Sequence, residues 1–87
     1  MSGYRIDYAP KAIKQLRAVR DVRIAGPLRR AIEKLATDPR PVGSLKLVGE
    51  VDHWRIRVGD WRIVYRIDDG VLVVLVVTVT PRGGAYR

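Results

Sequence analysis

The chain has 87 residues, a formal net charge of +8, 47% hydrophobic and 30% charged residues, no cysteine and one histidine. This composition fits one small domain, residues 1–87, burying roughly 60–65% of its unfolded surface around a single modest core. Disulfides and thiolate metal sites are excluded, a zinc site is disfavoured, and neither a metal nor another cofactor is expected.

From Met1 to Lys11 there is no apolar core of the kind a signal peptide needs. The longest apolar run, Val71 to Val77, is far shorter than a membrane span. A cytoplasmic location without membrane contact is expected. The sequence pI near 10.6 points to nucleic acid, an acidic protein partner, or both.

Tyr4, Ile6 and Tyr8 alternate with Arg5 and Asp7 and predict a first strand. Ala9-Pro10 ends it, and proline suits the first turn of a following helix. Lys11 to Val19 sets Ile13 and Leu16, with Ala12 and Val19, on one helical face. Asp21 offers an N-cap for a second helix, Val22 to Ala36, with Ile24, Leu28, Ala31, Ile32 and Leu35 as its apolar stripe. Pro27 predicts a kink or a late start in that helix. The two helices form a hairpin over a sheet. Their outer faces carry Lys11, Lys14, Arg17, Arg20, Arg23, Arg29, Arg30 and Lys34, most of them read as solvating charge.

Asp38-Pro39-Arg40-Pro41 stops the second helix. Ser44 to Val48 predicts a strand with Leu45 and Leu47 inward, and Gly49 to His53 a loop. Trp54, Ile56 and Val58 then alternate with Arg55 and Arg57. Trp61, Ile63, Tyr65 and Ile67 alternate with Arg62, Val64 and Arg66. Period-two alternation marks strands with one buried and one wet face. Gly59-Asp60 fits a two-residue hairpin turn with positive φ at the glycine. That register sets Arg57 opposite Arg62 and Arg55 opposite Val64. Asp69-Gly70 reads as a type I′ turn into Val71–Val79, apolar on both faces and so central. It would pair Val77 with Arg62 and Val73 with Arg66, laying an apolar floor beside the arginines. Arg82-Gly83-Gly84-Ala85-Tyr86-Arg87 closes the chain as a basic tail.

Arg55, Arg57, Arg62 and Arg66 thus share the wet face. Like charges facing across strands are destabilising by roughly 0.2–1 kcal/mol. Such a face is either a solvated surface or a polyanion site, since rigidly held guanidiniums grip phosphates bidentately.

The order of elements, Lys46-Leu47-Val48-Gly49, the block Trp54-Arg55-Ile56-Arg57-Val58-Gly59-Asp60-Trp61-Arg62-Ile63-Val64-Tyr65 and the closing Arg82 and Tyr86-Arg87 together resemble the RelE/ParE superfamily of type II toxins. The closing pieces look more like its RelE branch. The resemblance implies an α+β fold: an N-terminal strand, a helical hairpin, then a mostly antiparallel four- to five-stranded sheet. It implies a metal-independent endoribonuclease that cuts mRNA in the ribosomal A site. A 2′-hydroxyl attacks the adjacent phosphate, leaving a 2′,3′-cyclic phosphate and a 5′-hydroxyl. The family's catalytic positions fall on Arg55, Arg57, Arg62, Arg82 and Tyr86, with Lys46, Arg66 and Arg87 as substrate-binding positions. Arg62 and Arg82 would stabilise charge on the phosphate, and Tyr86 would stack on a base or orient the 2′-hydroxyl.

Family members often carry lysine as the candidate base where this chain has Arg55 and Arg57. Arginine is a poor proton acceptor at neutral pH, which moves the base role to Tyr86 or leaves catalysis to positioning and charge. His53 and Glu50, in the loop before Trp54, are alternative candidates for the base, although a loop histidine more often hydrogen-bonds locally. Val48 also replaces a position that is basic in some members. The resemblance further implies a small cognate antitoxin with an acidic segment near Arg55–Arg66, and contact with DNA only through that antitoxin. A different class of function on the same fold is a DNA gyrase poison acting by protein binding, as in ParE relatives.

Overall fold

The structure, a computed structural model, describes residues 3–49 and 51–81; Glu50, Arg82, Tyr86 and Arg87 lie outside the described residues. The elements run β1 (Arg5–Tyr8), α1 (Pro10–Ala18), α2 (Val22–Lys34), β2 (Leu45–Lys46), β3 (His53–Val58), β4 (Trp61–Asp68) and β5 (Val73–Pro81). The strands form one five-stranded sheet in the order β1-β5-β4-β3-β2. Its β1–β5 pair is parallel and the others antiparallel. This is the α+β architecture expected.

Pro10 opens α1, where a missing N–H costs nothing. The Asp21 carboxylate accepts the Arg23 amide at 2.9 Å and caps α2. The cap starts α2 at Val22 despite Pro27, so the expected late start does not occur. Proline in the second turn removes a single helical hydrogen bond, and the capped first turn and buried stripe outweigh it.

Ala12 and Leu16 of α1 and Leu28, Ile32 and Leu35 at α2 are buried against Ile56, Ile63, Tyr65, Ile67, Val74, Val76 and Val79 of the sheet. Ile13, expected inward, is 37% exposed, and Ala12 takes the inner position. The small alanine lets α1 lie close on β5. Where β5 runs past the end of β1, the Gln15 side chain accepts the Val79 amide at 2.7 Å. Tyr65 is fully buried, and its hydroxyl donates to the Pro39 carbonyl at 2.7 Å. Burial pushes that phenol up to about 12.

Two expectations about register need correction. Leu45 pairs with Arg55 and Lys46 with Trp54. Leu45 therefore lies on the arginine face, 53% exposed, rather than inward. At a two-residue edge strand, pairing sets the parity and no helix overlies it to bury either face.

The second correction concerns the β4–β5 connection. Asp68 pairs with Val73 across a four-residue loop, not with Val71 across a type I′ turn. Asp68 Oδ1 accepts the Gly70 and Val71 amides at 3.0 and 3.2 Å, and Leu72 turns the chain with φ of 58°. This Asx-type loop satisfies amides that a two-residue turn would leave to the ladder. In this register Arg66 meets Leu75, and a bulge between Val64 and Tyr65 on the β5 side shifts it by one more residue, so Arg62 meets Thr80.

Asp69 ties three remote segments together. It accepts the Tyr4 hydroxyl at 2.6 Å and two Arg40 N–H groups at 3.3 and 2.9 Å. Arg40 also lies 5.3 Å from the centre of the Trp54 ring, a cation–π distance. Hydrogen bonds from Arg40 and then Tyr4 hold the Asp69 carboxyl below the usual carboxylate range.

Two outcomes follow. Tyr65→Phe leaves the buried Pro39 carbonyl without its donor and costs roughly 1–3 kcal/mol, measurable by urea unfolding. For Asp69 the folded-state value is depressed, so its contribution is complete above the unfolded value of roughly 3.9 and fades as pH falls through the folded one. Asp69→Asn is therefore expected to melt below the wild type at pH about 7, with the gap closing below pH about 4.

Candidate nucleic-acid interface

The β3–β4 hairpin turns at Gly59, with φ of 59°, and pairs Val58 with Trp61. A Cβ on Gly59 would meet nothing within 4 Å, so the glycine answers to backbone conformation and not to space. From this turn the pairs run Arg57 with Arg62, Ile56 with Ile63, Arg55 with Val64, Trp54 with Tyr65 and His53 with Arg66. Opposed residues share a face, so Ile56, Ile63 and Tyr65 enter the core while Arg55, Arg57, Arg62 and Arg66 gather on the other side. The arrangement read from the hairpin is the one observed.

Extended across the sheet, the open face has a row of Arg5, Val73 and Asp68 at one end and three more beyond it. One is Arg57, Arg62 and Thr80; the next is Leu45, Arg55, Val64 and Thr78; the third is His53, Arg66, Leu75 and Asp7. Rows two residues apart are separated by roughly 6.5 Å along the strand. Arg57 and Arg66 are exposed and Arg55 and Arg62 half-buried. The floor is mixed: Val64, Val73 and Leu75 are apolar, but Arg62 stands beside Thr80 because of the bulge.

Charge on this face is uneven. At the far edge Asp7 accepts Arg5 Nε and an Arg5 terminal nitrogen, each at 3.1 Å, and that pair neutralises itself. A depression of about 210 Å³ between the edge and the arginines is lined by Asp7, Arg66, Asp68, Val71, Val73 and Leu75. The unbalanced positive charge thus concentrates on β3 and β4. Local polarity of this kind suits phosphates, which meet bidentate donors in the rows of Arg57 with Arg62 and of Arg55, where no carboxylate stands among the described residues.

Lys46 does not join the arginines. It pairs with Trp54, whose ring packs against the core, and so lies on the opposite side of the sheet. The alternation in β2 was readable, but its parity came from pairing with β3. Arg82, Tyr86 and Arg87 lie outside the described residues; β5 ends at Pro81, opposite Trp61 and next to the Arg62 row.

Two residues of the open face, Thr78 and Thr80, escaped the sequence reading, and a third, His53, is a candidate there but in the wrong element. Thr78 and Thr80 reach it through the register shift, although their spacing marked them as a pair on one side of a strand. His53, expected in a loop, is the first residue of β3 and stands opposite Arg66. Its Nδ1 does bond locally, 2.7 Å from the Val51 carbonyl oxygen. Among the described residues, no three histidine or carboxylate groups converge as a metal site would need, and no helix is long and apolar enough to cross a membrane.

The fold is shared with solved toxins. RelE of the Pyrococcus horikoshii RelE–RelB complex superposes with a TM-score of 0.79 at 24% identity, covering 93% of this chain and 97% of that one. A chain of the intact E. coli RelBE toxin–antitoxin complex gives 0.77 at 26% identity, over 90% and 95%. YoeB from Staphylococcus aureus, solved as a dimer, gives 0.75 at 15%, over 91% and 97%. No curated protein matches the chain at the level of sequence. The profile described as "ParE toxin of type II toxin-antitoxin system, parDE" matches residues 6–86. The chain belongs to this toxin family, within the RelE/ParE superfamily of type II toxin–antitoxin systems.

Proposed function

We propose that this toxin cleaves messenger RNA in the ribosomal A site, without a metal. Backbone phosphates lie against Arg55, Arg57, Arg62 and Arg66. A 2′-hydroxyl attacks its adjacent phosphate, giving a 2′,3′-cyclic phosphate and a 5′-hydroxyl. The observation that carries this reading is the sheet face, uncovered by any helix among the described residues, on which four arginines gather with Arg57 directly opposite Arg62. Cations held on rigid strands before the substrate arrives stabilise charge as it builds on phosphorus. Arg62, half-buried and steadied by its surroundings, serves the reacting phosphate. Arg82, Tyr86 and Arg87 are further residues of the proposed site.

The partner in the resting state is a cognate antitoxin with an acidic segment over the same arginines. Support comes from the RelE relatives solved in RelB complexes and from the net charge of +8. The mRNA and the ribosome are the targets once the antitoxin is gone, and DNA is reached only through the antitoxin.

A second reading is a gyrase poison acting by protein binding. The ParE family profile favours it. Induced expression without the antitoxin separates the two. Ribosomal cleavage predicts growth arrest with mRNA ends mapping inside codons, abolished by Arg62→Ala in a protein that still folds. Intact transcripts with DNA breaks and filamentous cells would reject the ribonuclease in favour of the poison.

The arginine row also predicts opposed effects of one substitution. Arg57→Ala removes a like-charge pair and is expected to leave stability unchanged or raise it by about 0.2–1 kcal/mol in urea unfolding. The same change is expected to weaken binding to a short single-stranded RNA and flatten its salt dependence, read by fluorescence anisotropy.

A further inference from the structure

Most of the chain's net charge does not sit with the sheet arginines. Residues 10–34, which hold α1 and α2, carry eight lysines and arginines against Asp21 and Glu33, a net +6 of the chain's +8. Residues 35–81, which hold β2 to β5, carry six charges of each sign. The helices therefore dominate the potential around the molecule.

That charge is displayed outward. Lys11, Lys14, Arg17, Arg20, Arg29 and Arg30 are all exposed. The two helices pack on the side of the sheet opposite the arginine face, so their outer surface points away from it. Arg17 of α1 and Arg29 of α2 line one notch of about 150 Å³, together with Tyr8, Ile13 and Leu16. Among the described residues no carboxylate lies within ion-pair distance of either guanidinium. Tyr8, whose phenol is pushed up by burial, has Arg29 and Glu33 as charged neighbours, so one carboxylate stands near this notch against two guanidiniums.

The surface suits nucleic acid better than an acidic protein. Its exposed large apolar residues are Ile13 and Val22, at 37% and 78%. Protein interfaces deplete charge at their centre, whereas nucleic-acid interfaces are polar and strongly positive. The molecule has principal extents of 34 × 30 × 26 Å. One short strand on the arginine face does not also reach the helices, but a particle that presents RNA on two sides does.

We propose that the outer face of α1 and α2 is a second RNA-binding surface, where Arg17 and Arg29 grip a backbone phosphate of ribosomal RNA while mRNA lies on the sheet. This rests on the ribosomal reading above and leaves the reacting phosphate with Arg62. Two guanidinium forks on separate helices hold such a phosphate from both sides. The remaining helix cations add sequence-independent, salt-sensitive attraction.

The test measures binding of the antitoxin-free toxin to purified ribosomes across a salt series, with single-turnover mRNA cleavage on programmed ribosomes. The double variant Arg17→Gln, Arg29→Gln is expected to need about tenfold more ribosomes for half-saturation, with its loss in affinity and not in saturating rate. Its slope of log affinity against log salt is expected to flatten by roughly one to two. Arg62→Ala is expected to show the reverse, losing rate at saturation. A double variant that saturates at the wild-type ribosome concentration with an unchanged slope overturns the proposal. Unchanged ribosome binding with weakened antitoxin binding overturns it too, and gives the face to the acidic partner. Should the double variant melt early, the two single variants are measured, each expected to weaken binding about threefold. A wild type that binds ribosomes more tightly than the double variant yet leaves mRNA intact supports this surface and rejects the ribonuclease reading. A wild type that binds no ribosomes rejects both.

Discussion

The two-residue turn at Gly59-Asp60 governs the open face. Side chains alternate along a strand, so a slip of one residue would exchange its faces completely. Ile56, Ile63, Tyr65 and Ile67 are buried beneath the sheet, and each such side chain contributes roughly 1.5–3 kcal/mol by leaving water. No slip can repay that loss. Arg55, Arg57, Arg62 and Arg66 are therefore held together by the burial of their neighbours, against their mutual repulsion.

That division of labour separates stability from function along one hairpin. The inner face supplies the core on which α1 and α2 rest. The outer face gathers four arginines. At the β1 edge, where Arg5 and Asp7 pair on the same side, the sheet shows how such a face looks when it serves solubility alone. Among the described residues the sheet is helix-covered on one face only.

Two adjacent aspartates stabilise the other end of the sheet in different ways. Asp68 organises the loop between β4 and β5 through backbone amides. Asp69 joins β1, the linker after α2 and that same loop through Tyr4 and Arg40. The parallel strand β1 and the long linker are thereby anchored to the meander. The loop also sets which β5 residue stands beside Arg66, and the bulge close to Arg62 gives that arginine its threonine neighbour.

The sequence by itself determined the elements, the helix stripes, the hairpin register and the shared face of the four arginines. Those features depend on local periodicity and on one short turn whose backbone conformation glycine specifies. Tertiary structure alone decided the rest. Asp68 captured the loop amides and moved β5 by two residues, and the bulge moved it once more; neither competition has a signature in alternation. Lys46 fell on the far side because an edge strand takes its parity from its partner. His53 looked like a loop residue until β3 began one position early, opposite Arg66, where pairing across strands rather than neighbours in the chain gives a side chain its surroundings.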